Sequence, residues 1–239
     1  MNALAGKSAL LTGGSRGIGL AIARALVREG VRLGVIGRSR PQVACEFITC
    51  DLEEVDRVPE AVRGVAAKLG PLDFLINNAG TFLEQPIVMM EVADWDRVLR
   101  VNLIAAVVAA REVLPGMIQR RQGRIVNIGS TSSVQGYLHQ GAYCASKHAL
   151  LGFSRCLAIE AKPHNIHVHT VCPGGVDTDL IQGTYLGERL KGQPMIRAED
   201  IPETVVFLLR QPENIDMAEI LVRRFDPGTA RGADQSKTQ

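Results

Sequence analysis

The sequence lacks a dominant charge, a cysteine framework and any long apolar run, and each absence argues against a class of function. Its 27 lysines and arginines against 25 aspartates and glutamates leave a net charge of +2. No whole-protein field is therefore present to recruit nucleic acid or an anionic membrane. The Arg120-Arg121 and Arg223-Arg224 pairs read as solvated faces rather than binding patches. The five cysteines (Cys45, Cys50, Cys144, Cys156 and Cys172) are odd in number and form no CxxC pair, which argues against a disulfide scaffold or a zinc knuckle. Reducing, cytoplasmic surroundings are expected. No uninterrupted apolar stretch reaches ~18 residues, so no membrane span is expected, and the start M-N-A-L-A-G-K carries no basic-then-apolar signal pattern. His164, His167 and His169 surround one candidate strand without a ligand constellation, so no metal is expected.

What is present is an ordinary globular balance, 46% hydrophobic and 22% charged over 239 residues, enough for a sizeable core. Apolar runs predict strands at 8–11, 31–37, 47–50, 72–76, 124–128, 166–171 and 219–222. Helical periodicity predicts helices from 17 to near 30, then at 58–69, 95–117, 142–159 and 200–209. The alternation points to a largely parallel sheet covered by helices on both faces. No composition break or repeat divides the chain. Residues 1–225 are expected to form a single domain, followed by a flexible tail at 226–239 rich in Gly, Ser, Gln and charge.

The first strand runs into T-G-G-S-R-G-I-G. Gly13, Gly17 and Gly19 permit a tight turn and close approach of backbone to a ligand, and the following helix points unpaired N–H groups at an anion. The spacing is GxxxGxG rather than GxGxxG, so its weight comes from lying between strand and helix. It reads as a pyrophosphate site, with Ser15, Arg16 and Ile18 in the loop and Thr12 supporting the turn. At the end of the second strand, where an NAD site places an acid, the chain reads I-G-R-S-R. Arg38 and Ser39, with Arg16 across from them, suit a ribose 2′-phosphate, which points to NADP(H).

Further on, Ser130, Tyr143 and Lys147 place a hydroxyl, a phenol and an ammonium where they can converge on one carbonyl oxygen. Tyr143 and Lys147 are four apart, on one helical face. The lysine charge is expected to favour tyrosinate, while Ser130 donates to the substrate oxygen.

Together with N-N-A-G at 77–80, V-N-L around Asn102 and P-G-G-V-D-T at 173–178, these elements carry a resemblance to the classical short-chain dehydrogenase/reductase family over about 7–222. The resemblance implies a Rossmann-type, doubly wound α/β fold forming one dinucleotide-binding and catalytic domain. It makes Tyr143 the proton donor in carbonyl reduction, or the acceptor in alcohol oxidation, on a small-molecule carbonyl or alcohol. Lys147 gains a second role on the nicotinamide ribose, and Asn102 a place in a water-assisted proton relay. Asp51 and Leu52 fall near the adenine, Asn78, Ala79 and Gly80 along the cofactor ribose, and Pro173, Gly174, Val176 and Thr178 at the nicotinamide. A homodimer or homotetramer is implied as well.

Two departures stand out. Only P-Q-V-A-C-E separates Arg40 from the third strand, so the crossover after the second strand is expected to be shortened, without its helix. The segment after Thr178 is short for a substrate lid, with Tyr185, Leu186 and Leu190 as its covering residues. Three readings follow: an NADPH-dependent carbonyl reductase, an NADP-dependent hydroxy-acid or secondary-alcohol dehydrogenase, and a cofactor-binding structural or regulatory protein with weak turnover.

Overall fold

The structure, a computed structural model, describes residues 3–225, so the tail expected at 226–239 lies outside the described residues. Strand β1 (Ser8–Thr12) leads into helix α1 (Gly17–Arg28), β2 (Arg32–Gly37) and β3 (Glu46–Thr49). Helix α2 (Val58–Leu69) returns to β4 (Phe74–Asn77). Helices α3 (Val92–Leu99) and α4 (Ala105–Arg120) precede β5 (Gly123–Ile128), and α5 (Gly141–Ala161) precedes β6 (Ile166–Pro173). The chain closes with β7 (Val176–Asp177), α6 (Tyr185–Leu190), β8 (Ile196–Arg197), α7 (Ile201–Leu209) and β9 (Glu219–Val222).

Seven strands form one sheet in the order β3-β2-β1-β4-β5-β6-β9, and every pairing in it is parallel. Strands β1, β4 and β5 are buried along their whole length, which is why S-A-L-L-T and F-L-I-N read as continuous apolar runs instead of alternating ones. One face packs on α1 and α7 through Ile22, Leu26, Val205 and Leu208. The other packs on α2, α4 and α5 through Val62, Val65, Ala109, Val113 and Leu157. The chain reverses its direction of winding between β1 and β4, and in such sheets ligands bind in the crevice beyond the strand ends at that point.

The crossover from β2 to β3 is a coil with no helix, as the Arg40-Pro41 step predicts. Arg40 there donates to the Cys45 carbonyl at 3.4 Å and lies 5.3 Å from the centre of the Phe47 ring. The expected helix at 95–117 starts earlier and is not uniform: a π-helical turn at Arg100–Ile104 joins α3 to α4. The whole stretch Val92–Arg120, 29 residues, is long and apolar enough to cross a membrane by length and composition. That property was not expected from the uninterrupted runs, because Arg100, Arg111 and Glu112 break them. Here Ala105, Ala109, Ala110, Val113 and Met117 are buried in the core beneath the sheet.

Buried polar groups mark one acid-sensitive point. His169 on β6 is fully buried; its Nδ1 bonds the Met217 carbonyl at 2.9 Å, and its Nε2 has no partner among the described residues. Burial holds its pKa below the ordinary value, and the Arg124 and His167 charges act the same way, while the Met217 bond opposes them. The folded state therefore binds fewer protons than the unfolded chain as pH falls below ~6.5, and stability declines through that window. We expect Tm to drop by several degrees between near-neutral and mildly acidic buffer, with a shallower drop in His169→Gln. Parallel slopes in a scanning calorimeter would place the acid sensitivity elsewhere.

Candidate active site

The crevice is assembled from the carboxyl ends of β1, β4, β5 and β6. Thr12 closes β1 with its Oγ1 accepting from the backbone N–H groups of Asn78 (3.0 Å) and Ala79 (3.1 Å), which locks the β1 and β4 ends together. Asn78 reciprocates, donating Nδ2 to the carbonyls of Thr12 (3.1 Å) and Gly13 (2.5 Å). Gly13 sits at φ +69° and Gly17 at +51°, in the left-handed region. At Gly19 a Cβ would fall 1.9 Å from the Gly13 carbonyl oxygen and 2.4 Å from Asn78 Nδ2, so backbone meets backbone there with no room for a side chain. Helix α1 starts after an extended Arg16 with no side-chain cap, leaving its first N–H groups facing outward beside the turn. These features fit the pyrophosphate of a dinucleotide.

Arg38 and Ser39 follow β2 directly and are exposed, as is Arg16; Ser15 is half-buried in the turn. Asp51, past the end of β3, accepts the Glu53 N–H at 3.1 Å, and Leu52 is buried. Thr178 lies beside the glycine turn, with its Cγ2 3.3 Å from where a Gly17 Cβ would stand. The segment that expectation placed around a dinucleotide is thus brought to one end of the sheet.

A cavity of about 380 Å³ opens next to it, lined by Ser130 and Tyr143 and bounded by Ile18, Pro173, Gly174 and Val176. Ser130 stands two residues past β5 and caps a short turn, its Oγ accepting from the Ser132 N–H at 3.1 Å. Tyr143, in the first turn of α5, is 9% exposed and packs edge-on against Phe82, ring centres 4.9 Å apart. Lys147, one turn on, is buried, donates Nζ to the Ile128 carbonyl at 2.8 Å and lies 5.8 Å from the Tyr143 ring centre. A Cβ on Gly80 would stand 3.8 Å from that Nζ.

Burial pushes the Tyr143 phenol up to about 12, with an interaction from the Ser130 hydroxyl opposing the rise. Burial also pulls the Lys147 ammonium down to about 8. Burial of the phenol thus works against the tyrosinate that the lysine charge is expected to favour.

Asn102 lies in the π-helical turn, buried, with its amide fully engaged. Oδ1 accepts from the Thr81 N–H at 2.7 Å; Nδ2 donates to the Thr81 carbonyl at 2.9 Å and to Ser146 Oγ at 3.0 Å. The side chain ties the coil after β4 to helix α5, so that Gly80, Lys147 and Tyr143 keep their relative places.

Sequence reasoning missed several members of this wall. Phe82 carries no signal in its T-F-L surroundings. Arg223 is exposed, as expected, and Arg224 half-buried, but both also line the cavity. A signal existed for these two: they directly follow a predicted parallel strand, whose carboxyl end must lie on the ligand side. The small β7–β8 ladder and the lid helix α6 were also not foreseen. Leu186 and Leu190 of α6 face the cavity, and the Leu186 N–H bonds Glu84 Oε2 at 2.8 Å, while Tyr185 is largely exposed and lies 6.0 Å from the His139 ring.

Comparison with known proteins agrees with this architecture. The family model described as short chain dehydrogenase matches residues 7–188. The chain is 33% identical over 211 residues to carbonyl reductase family member 4 of Xenopus tropicalis, covering 84% of this chain and 89% of that protein. It is 34% identical over 214 residues to a 3-oxoacyl-[acyl-carrier-protein] reductase of Bos taurus, covering 84% of this chain and 90% of that protein. A metagenomic short-chain oxidoreductase solved in complex with NADP superposes with a TM-score of 0.80 at 32% identity, over 93% of this chain and 98% of that one. With the glycine turn, the parallel sheet and the serine, tyrosine and lysine in place, the chain belongs to the short-chain dehydrogenase/reductase family of oxidoreductases.

Proposed function

We propose that the protein is an NADPH-dependent carbonyl reductase, built as one dinucleotide-binding and catalytic domain over 1–225 and acting as a homodimer or homotetramer in the cytoplasm. The observation that carries the reading is the buried Tyr143 phenol sharing one cavity with the Ser130 hydroxyl beside the glycine turn, its burial favouring the protonated form. A proton donor is what carbonyl reduction requires; the reverse oxidation needs the phenol already deprotonated.

When bound, the nicotinamide group supplies the hydride. Ser130 donates a hydrogen bond to the carbonyl oxygen, holds it near Tyr143 and stabilises the negative charge that grows there. Tyr143 then gives its proton to that oxygen, leaving an alcohol. Lys147, held by the Ile128 carbonyl, supplies positive charge behind the phenol as it becomes phenolate. Asn102 acts through position, fixing the Gly80 segment against α5. The glycine turn with Ser15, Asn78, Ala79 and Gly80 would hold the dinucleotide. Asp51 and Leu52 would flank its adenine, and Ile18, Pro173, Gly174, Val176 and Thr178 its nicotinamide end.

Arg38, Ser39 and Arg16 would receive the 2′-phosphate. None of the two arginines has an ion-pair partner among the described residues, and no carboxylate stands at the end of β2 to compete. Replacing Arg38 by Asp is expected to lower kcat/KM for NADPH by roughly tenfold or more while changing NADH use little, since one charge-assisted bond to phosphate contributes about 1.5–3 kcal/mol. Equal losses with both cofactors would remove the phosphate role. The reading as a whole is tested by cofactor titration followed by turnover on ketones, quinones, acyl thioesters and hydroxy acids. Tight NADPH binding without turnover on any of them would favour a cofactor-binding structural or regulatory protein.

A further inference from the structure

The walls of the catalytic cavity have a one-sided charge. Arg189 on α6 and Arg223 and Arg224 just past β9 all line it, and among the described residues no aspartate or glutamate does. The acids nearest along the chain do not line it: Asp177 and Asp179 flank Thr178 and are exposed, Glu84 accepts the Leu186 N–H at 2.8 Å, and Glu188 lies 3.7 Å from Lys191. Among the described residues none of the three arginines forms an ion pair.

Their neutral contacts separate them into two roles. Arg224 donates to the Gln193 side-chain carbonyl at 2.8 Å and approaches the Pro194 carbonyl at 3.5 Å, which fastens the end of β9 to the chain just after α6. Arg189 and Arg223 are exposed at the mouth. Arg189 has only a distant approach to the Tyr185 ring, 5.9 Å from its centre, and Arg223 makes no bond to another described residue. Two guanidinium forks free to turn inward, in a crevice whose described lining carries charge of a single sign and shares apolar Leu186 and Leu190 with Tyr143, concentrate a field on whatever enters.

We propose that this rim selects carbonyl substrates that carry an oxyanion, with Arg189 and Arg223 receiving the charge and Arg224 bracing the lid. The inference rests on the carbonyl-reductase reading and narrows its substrate class. The oxyanion has two chemical sources, a carboxylate on the substrate itself or a phosphate on a thioester carrier arm, and both suit a guanidinium fork.

The test compares charged and neutral members of two pairs: levulinate with methyl levulinate, and acetoacetyl-pantetheine with and without its terminal phosphate. kcat/KM is measured for the wild type, Arg189→Gln and Arg223→Gln. In the wild type the charged member of one pair is expected to be favoured by roughly tenfold, the size of one charge-assisted hydrogen bond. That ratio should shrink in each variant, and also as ionic strength rises from ~0.01 to ~0.15 M and the screening length falls from ~30 to ~8 Å. The pair that responds identifies the source of the charge. Equal ratios in both pairs overturn the role of the rim and leave the reductase reading standing. If no carbonyl is reduced, that reading fails, and calorimetric binding of levulinate against its methyl ester judges the rim alone: equal affinity overturns it, and a weaker fit of the ester, abolished by Arg189→Gln, upholds it.

Discussion

Tyr143→Phe is expected to leave NADPH affinity within a few-fold of the wild type and to cut carbonyl reduction by about 10²–10⁴-fold, the usual contribution of a placed general acid. The substitution removes one oxygen and nothing else. The ring keeps its edge-on contact with Phe82, and α5 keeps its first turn, since no helix bond depends on the phenol. Lys147 remains anchored to the Ile128 carbonyl, so the electrostatic setting survives. The loss should therefore appear in kcat at saturating substrate, with unchanged circular dichroism and an unchanged cofactor titration. Reduction continuing at near the original rate would mean that another group supplies the proton, and the assignment of the cavity as reacting centre would fall with it.

Gly19→Ala should weaken NADPH and NADH alike, by about 5- to 150-fold, because overpacking of this kind costs about 1–3 kcal/mol and here falls on the cofactor cradle. The added carbon cannot be accommodated by rotating a side chain: the group it meets at 1.9 Å is the Gly13 carbonyl. Either the first turn of α1 retreats, carrying its free N–H groups away from the anion, or Asn78 gives up its bond to Gly13 and the β1–β4 junction loosens. Both outcomes strike the cofactor before the core, since Ile22 and Leu26 lie further along α1. Fluorescence titration with each cofactor, beside a thermal melt, separates the two effects. Undiminished binding of both would show that the turn is a packing device and not a cradle.

The parts of this molecule that could be read from sequence share a physical basis. Helix α2 and strand β9 fall where their apolar periodicity places them, at Val58–Leu69 and Glu219–Val222, because local pattern and burial agree there. The coil after β2 was legible from Arg40-Pro41 because a proline restricts its own backbone and that of its predecessor whatever the surroundings. Ser130, Tyr143 and Lys147 were legible because their spacing is set by one helix and the strand before it. What was not legible depends on distant partners. The π-helical turn at Arg100–Ile104 follows from Asn102 reaching Thr81 and Ser146, neither of which is a sequence neighbour. Strands of two residues such as β7 and β8 are too short to leave a periodic trace. The burial of Tyr143 and Lys147 was not legible because the pairing of tyrosine and lysine is visible in sequence and the depth of both is not. Arg223 and Arg224 looked like solvent residues for a similar reason, that a charge pair reveals its face only once the strand before it is placed.

Strand β9 gives the site a timing as well as a wall. It is the last strand in chain order among the described residues, yet it pairs with β6 at the sheet's edge and supplies the Val222 carbonyl that receives the Gly174 N–H at 2.7 Å. A growing chain on the ribosome acquires Ser130, Tyr143 and Lys147 long before Glu219 appears. During that interval β6, eight residues long and mostly buried in the finished fold, offers an unpaired edge to any neighbouring nascent chain. Arrival of β9 ends the exposure and delivers the two arginines in the same event. Completion of the cavity wall and cover for the β6 edge are thus reached together, after the serine, tyrosine and lysine are in place, through one strand of four residues.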